Sequence, residues 1–173
     1  MNAHQNAAGR VALGALAAAA VIVATMISVP VPGYRVYFNF GEAVIYTVAL
    51  VSGRRYGALS AAVGASLADL LLGYPLWAPF TFFIKGFEGF VAGSLAHRGI
   101  FVATGCAAIV MIAGYTSLAA LLYGLPAAPV EFATDVIQTA IGILAARVIV
   151  PIVRNRIPGI VREEASCRKS AGS

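Results

Sequence analysis

The run VALGALAAAAVIVATMISV, residues 11–29, carries no charged side chain. It approaches the ~20 residues that a helix needs to cross ~30 Å of hydrocarbon. A second uncharged run, FVATGCAAIVMIAG at 101–114, reaches similar length once its flanks are counted. Lipid offers backbone N–H and C=O groups no partners, and a helix satisfies them within one segment. Composition agrees, with 60% hydrophobic and 11% charged residues, against the ~25% charged residues of a soluble domain. The chain therefore reads as an all-α membrane protein, with room in its 173 residues for about six spans and no sizeable soluble domain. The first run is longer than the 7–15-residue core of a signal peptide, so it is expected to stay as a span.

Six transmembrane helices are expected over 9–29, 41–52, 55–72, 80–96, 101–123 and 130–153. The second is short and follows an outward-facing loop, YRVYFNF at 34–40. Residues 1–157 form one transmembrane domain, and 158–173 a polar cytoplasmic tail. Arg10, Arg54, Arg55, Arg98, Arg154, Arg156, Arg162, Arg168 and Lys169 fall at the two termini and in alternate loops, with Arg35 on the opposite side. The positive-inside rule then places both termini in the cytoplasm of a prokaryotic cell. Cys106 and Cys167, one in a span and one in the tail, are expected as free thiols. There is no phosphate-binding G-x-x-x-x-G-K-[ST] loop, and His4 and His97 stand apart from any Cys/His cluster. No cofactor, metal site or nucleic-acid partner is expected, and neither is an enzyme activity.

The segment PFTFFIKGFEGF, 79–90, sets Lys85 and Glu88 inside the fourth span. At 1.5 Å of rise per residue Lys85 lies about 9 Å deep and Glu88 about 13 Å deep. Asp69 lies about 6 Å deep on the third span. Asp135 and Gln138 occupy the outer half of the sixth. The inner stretches YGALSAAVG, VAGSLA and IGILAA hold no ionisable group. This asymmetry describes a polar pocket that opens outward and is closed below. Ionisable groups at such depth are costly, and by default mark a functional site. A structural pair is the simpler reading of Lys85 and Glu88 alone, since i,i+3 places them on one face. Asp69, Asp135 and Gln138 on other helices favour a binding site.

Asn39 and Glu42 fit the N-x-x-E form of a capping box, and are candidates for ligand contact as well. Glu131, in the first turn of the last helix, is best read as complementing the helix dipole. Tyr34, Tyr37, Phe38, Phe40 and Trp77 suit an interfacial aromatic belt, or flat walls at the pocket mouth where Trp77 stacks on a ligand. Gly57, Ala61 and Ala65 recur every fourth residue up to Asp69, and Gly89 and Gly93 form a G-x-x-x-G. Such spacing brings helices into close contact. The first helix is small nearly all round, so one face, including Ala15 and Ala19, is a candidate for docking a partner.

The stretch from Gly41-Glu42 through GALSAAVGASLAD (57–69), Gly73-Tyr74 and IKGFEG (84–89) resembles the substrate-binding S-components of energy-coupling factor (ECF) vitamin transporters, riboflavin-type group. The resemblance covers about residues 34–96. It implies six helices, capture of a vitamin or precursor from outside, and association with a transmembrane T-component and two ATPases that dock on the first helix. It leaves open riboflavin itself or a pyrimidine- or pyridoxine-like ring. A self-sufficient permease is the main alternative; it would need polar groups in the inner halves too.

Overall fold

The structure is a computed structural model that describes residues 3–30 and 37–156. Tyr34, Arg35, Cys167, the tail 158–173 and the side chains of His4 and Tyr37 lie outside the described residues. Five α-helices dominate: α1 (Ala3–Met26), α2 (Gly41–Leu71), α3 (Ala78–Ser94), α4 (Ile100–Tyr123) and α5 (Ala128–Arg156). Strands β1 (Ser28–Pro30) and β2 (Tyr37–Asn39) pair antiparallel between α1 and α2, with Ser28 opposite Asn39 and Val29 opposite Phe38. The expected first helix thus stops at Met26, because the next residues are taken up in the ladder, and the expected loop contains a strand.

The expected second and third helices are continuous in hydrogen bonding but sharply broken at Gly53, with φ 81° and ψ −178°. Only glycine adopts that backbone conformation without steric cost. Ala49 and Gly57 would be about 12 Å apart along a straight helix. Instead, a Cβ placed on Gly57 would sit 2.8 Å from the Ala49 Cα. The two limbs, 41–52 and 54–71, therefore fold back on each other as a hairpin. At the far end, Tyr74 N–H bonds to Asp69 C=O at 2.8 Å and Gly73 N–H to Leu70 C=O at 3.3 Å, around a Gly73 with φ +85°. This is a Schellman motif, and it ends the helix at Leu71, two residues past Asp69.

The small-residue spacings work as close contacts. Gly89 lies against the Gly57 carbonyl and Gly93 against the backbone of Arg54, so any side chain at either would collide with backbone. The face of α3 turned inward holds Thr81, Lys85, Glu88, Gly89 and Ala92. α1 packs through Ala17, Val21 and Thr25, one turn apart, with Val21 seated on Gly64. Opposite, Ala15 and Ala19 are exposed. Between the helices an apolar core gathers Ile45, Tyr46, Ala49, Ala61, Ala107 and Val150. Arg154 donates to the Leu50 carbonyl at 2.7 Å and ties the end of α5 to the first limb of α2.

Three helical stretches, Ala8–Met26, Ile100–Tyr123 and Leu125–Arg156, are long and apolar enough to cross a membrane. The outer surface is rich in large apolar side chains, including Phe83, Phe87, Leu121 and Leu144, while the interior holds acids, amides and a lysine. That distribution inverts the usual arrangement of a soluble protein and suits a helical membrane protein.

Candidate functional site

Each helix that reaches the centre presents polar groups at helical spacing. α2 supplies Glu42 and, one turn on, Tyr46; α3 supplies Thr81, Lys85 and Glu88; α5 supplies Glu131, Asp135 and Gln138. All of these are buried, Glu42 and Glu88 with no exposed surface at all. The Lys85 ammonium is held between two carboxylates, donating to Glu42 Oε1 and, at 3.1 Å, to Glu88 Oε2. Glu88 Oε1 accepts from Tyr46 O–H at 2.8 Å, and Glu42 Oε1 accepts from Gln138 Nε2 at 2.9 Å. Gln138 Oε1 in turn accepts from the Asn39 backbone N–H at 2.8 Å and from its Nδ2 at 3.1 Å. One chain of bonds thus links α3, both ends of the β2–α2 junction and α5. Gly142 makes it possible, since any side chain there would displace Glu42.

A cavity of about 40 Å³ lies beside this network. Of the expected site residues, Asn39, Asp69, Trp77, Lys85, Asp135 and Gln138 line it. Glu42 and Glu88 do not; they stand behind Lys85 and fix its position. Thr25, Ile45, Ala65, Thr81, Met111, Tyr115 and Glu131 complete the wall. Tyr115 places its ring 5.3 Å from the Lys85 ammonium and donates to Thr81 Oγ1 at 3.0 Å.

Three expectations change. The capping box does not form, because Asn39 Oδ1 accepts from Gly41 N–H at 2.8 Å while Glu42 is drawn inward to Lys85 and Gln138. Lys85 and Glu88 do not simply satisfy each other, since Glu42 shares the ammonium. Trp77 is buried rather than set out at an interfacial belt: its ring packs on Tyr115 and Tyr123, and its N–H donates to Tyr123 O–H at 2.9 Å. Glu131 keeps its place in the first turn of α5, yet it is buried against the cavity. Its signal was present: 131, 135 and 138 share one face at i, i+4, i+7.

The charge is unevenly placed. The chain has seven acidic residues. Glu42, Asp69, Glu88, Glu131 and Asp135 are all buried around the cavity and its floor. It lies near the Schellman end of α2 and the N-terminal turns of α3 and α5. At the opposite end are Arg54 beside the Gly53 break, Arg98 after α3, and Arg154 and Arg156 at the end of α5. Arg147 belongs to the arginine side of α5 and lies 4.8 Å over the Phe101 ring. Among the described residues no three His, Cys, Asp or Glu side chains are gathered as a metal site.

An apolar-surfaced helical bundle around an ion-paired polar cavity is the build of an all-α membrane protein. The chain belongs to the family described as "ECF-type riboflavin transporter, S component", whose model matches residues 5–155. The family consists of transport subunits, not enzymes. The chain is 39% identical, over 82% of its length and 99% of the relative's, to an uncharacterized protein in a gap 3′ region of Pyrococcus woesei. It is 25% identical, over 76% of its length and 79% of the relative's, to the thiamine precursor transporter HmpT of Lactococcus lactis subsp. cremoris (strain MG1363).

Proposed function

We propose that this chain is the substrate-binding subunit of an ECF-type importer, multi-pass in the cytoplasmic membrane, that delivers a vitamin or vitamin precursor inward with a T-component and two ATPases. The observation that carries the reading is the cavity itself: polar, acid-rich, confined to one end of the bundle, and backed by an interior of alanine and valine. With the arginine end in the cytoplasm, as the positive-inside rule favours, the cavity faces outward. The ligand is a vitamin or precursor of the kind the family description and the HmpT name print, riboflavin-like or a pyrimidine- or pyridoxine-like ring. Asn39, Asp69, Trp77, Lys85, Asp135 and Gln138 contact it, and Glu42 and Glu88 hold Lys85 for it. The residues that line the cavity all lie toward one end of the bundle, and in this reading release inward requires a partner that moves or opens the subunit.

The test is reconstitution. Vesicles holding the chain alone are expected to bind the small molecule that co-purifies with it, identified by mass spectrometry, without accumulating it. Vesicles holding the chain with T-component, ATPases and ATP are expected to accumulate it. Accumulation by the chain alone would instead identify a self-sufficient carrier.

Orientation has its own check. Leu125, 81% exposed in the turn between α4 and α5, is expected to react as Leu125→Cys with an impermeant thiol reagent outside cells. Arg98→Cys is expected to stay unlabelled. The reverse pattern would turn the cavity inward.

A further inference from the structure

Arg147 is a charged side chain on the outer surface that belongs to neither a loop nor a helix end. It sits within α5, nine residues before Arg156, and is exposed. Its neighbours along the helix, Leu144 and Val148, are large, apolar and exposed, as are Phe101 and Val102 at the start of α4. In a membrane-spanning bundle such a surface meets hydrocarbon, which offers a charge no partner. The Arg147 guanidinium lies over the Phe101 ring, and among the described residues it makes no hydrogen bond or ion pair. A ring face attracts the cation but leaves the five N–H donors at its edge without an acceptor. Long basic side chains in this position extend toward the membrane interface to find one.

The chain supplies no counter-charge at this end. Arg54, Arg55, Arg98, Arg154 and Arg156 are exposed there together with Arg147. All five described carboxyl groups are buried around the cavity and its floor instead. Residues 157–173 hold two glutamates against two arginines and a lysine, so they add no net negative charge. Arg98 stands three residues before Phe101, at the entry to α4, and belongs with Arg147 beside that ring. Arg154, two turns beyond Arg147 on the same face of α5, is already engaged by the Leu50 carbonyl.

We propose that Arg98 and Arg147, with Phe101 as their platform, seat the headgroup phosphate of an anionic phospholipid of the cytoplasmic leaflet. An amphiphile matches both halves of the surface: phosphate oxygens for the guanidinium forks, acyl chains for the apolar strip around them. Basic clefts between helices on the cytoplasmic side suit such headgroups. An acidic protein surface matches only one half, because Arg147 stands among side chains that face hydrocarbon. The inference goes beyond the transport reading and is independent of what the cavity holds. It uses only the arginine end's place at the inner face of the membrane.

The full chain, purified in a non-ionic detergent, is titrated with phosphatidylglycerol or with phosphatidylcholine of the same acyl chains, and bound lipid is counted by native mass spectrometry. Phosphatidylglycerol is expected to bind roughly tenfold more tightly, since only its headgroup carries net negative charge. Arg147→Gln is expected to weaken it about tenfold, as the loss of a charged hydrogen bond does. Arg55→Gln, an exposed arginine between the two limbs of α2, is expected to weaken it by no more than about twofold, because distant exposed charges are screened. Phe101→Leu keeps every charge and removes the platform; it too is expected to weaken binding, with Tm held, and serves as a second probe if Arg147→Gln disturbs the fold. Equal binding of the two lipids, or of neither, overturns the proposal. Equal losses from Arg55→Gln and Arg147→Gln would reduce the site to a diffuse positive field. Displacement of the lipid by inorganic phosphate would make it a soluble-anion site. Lipid binding unchanged in Arg147→Gln, with co-purification of a protein partner lost, would assign the arginines to that partner; each of these results also overturns the proposal.

Discussion

Replacing Lys85 with methionine is expected to lower the Tm of the purified chain by roughly 6–20 °C. The side chain keeps its length and loses its charge, leaving Glu42 and Glu88 with no cation between them. Removing one partner of a buried ion pair costs about 3–5 kcal/mol, and each kcal/mol is worth about 2–4 °C in a chain of this size. The double variant Lys85→Met with Glu42→Gln is expected to recover most of the loss. Gln138 then bonds to an amide, and a single remaining acid, Glu88, keeps its Tyr46 partner. Thermal unfolding in detergent decides the point. An unchanged Tm with ligand binding lost would make Lys85 a ligand contact only, and strip the three-residue network of its structural part.

Ala15→Trp or Ala19→Trp is expected to abolish ATP-driven uptake while leaving Tm and ligand binding intact. The two positions sit 40° apart on the helix, on the exposed face of α1, whereas Ala17, roughly opposite, is buried one turn before the Val21 that seats on Gly64. An indole on the outer face touches nothing within the chain, and surface changes of that kind usually stay within about ±0.5 kcal/mol. Where small residues permit close helix contact with a T-component, the same indole forces the backbones apart. Ala17→Trp serves as the contrast and is expected to damage folding itself. Normal uptake by both outer-face variants would remove α1 as the docking surface.

Periodicity made much of this legible before any coordinates. The inward face of α3 follows from Lys85, Glu88 and Gly89, and the helix contacts follow from Gly57, Gly89 and Gly93. The division between 52 and 55 coincides with the Gly53 break, because glycine is the residue that permits the turn. Glu42 was harder. Its local pattern, Asn39 three residues before it, reads as a cap, while its actual partners Lys85 and Gln138 are 43 and 96 residues away. Local rules carry no information about such cross-helix pairs. Glu131 was readable from its spacing to Asp135 and Gln138, but its position in a first turn offered a sufficient simpler account. The ladder from Ser28 to Asn39 left no trace, since three-residue strands are too short for alternation to register.

That short ladder has a mechanical consequence. Only Ile27 separates α1 from β1, and only Phe40 separates β2 from α2, so the strap has almost no slack at either end. Asn39, the last residue of β2, holds Gln138 through its backbone N–H. The β1–β2 ladder is thus the shortest described route from α1 to the Asn39–Gln138 bond, and through Gln138 to Glu42 and Lys85. In the proposed importer, a partner gripping the outer face of α1 and a ligand filling the cavity would act on the two arms of one crank.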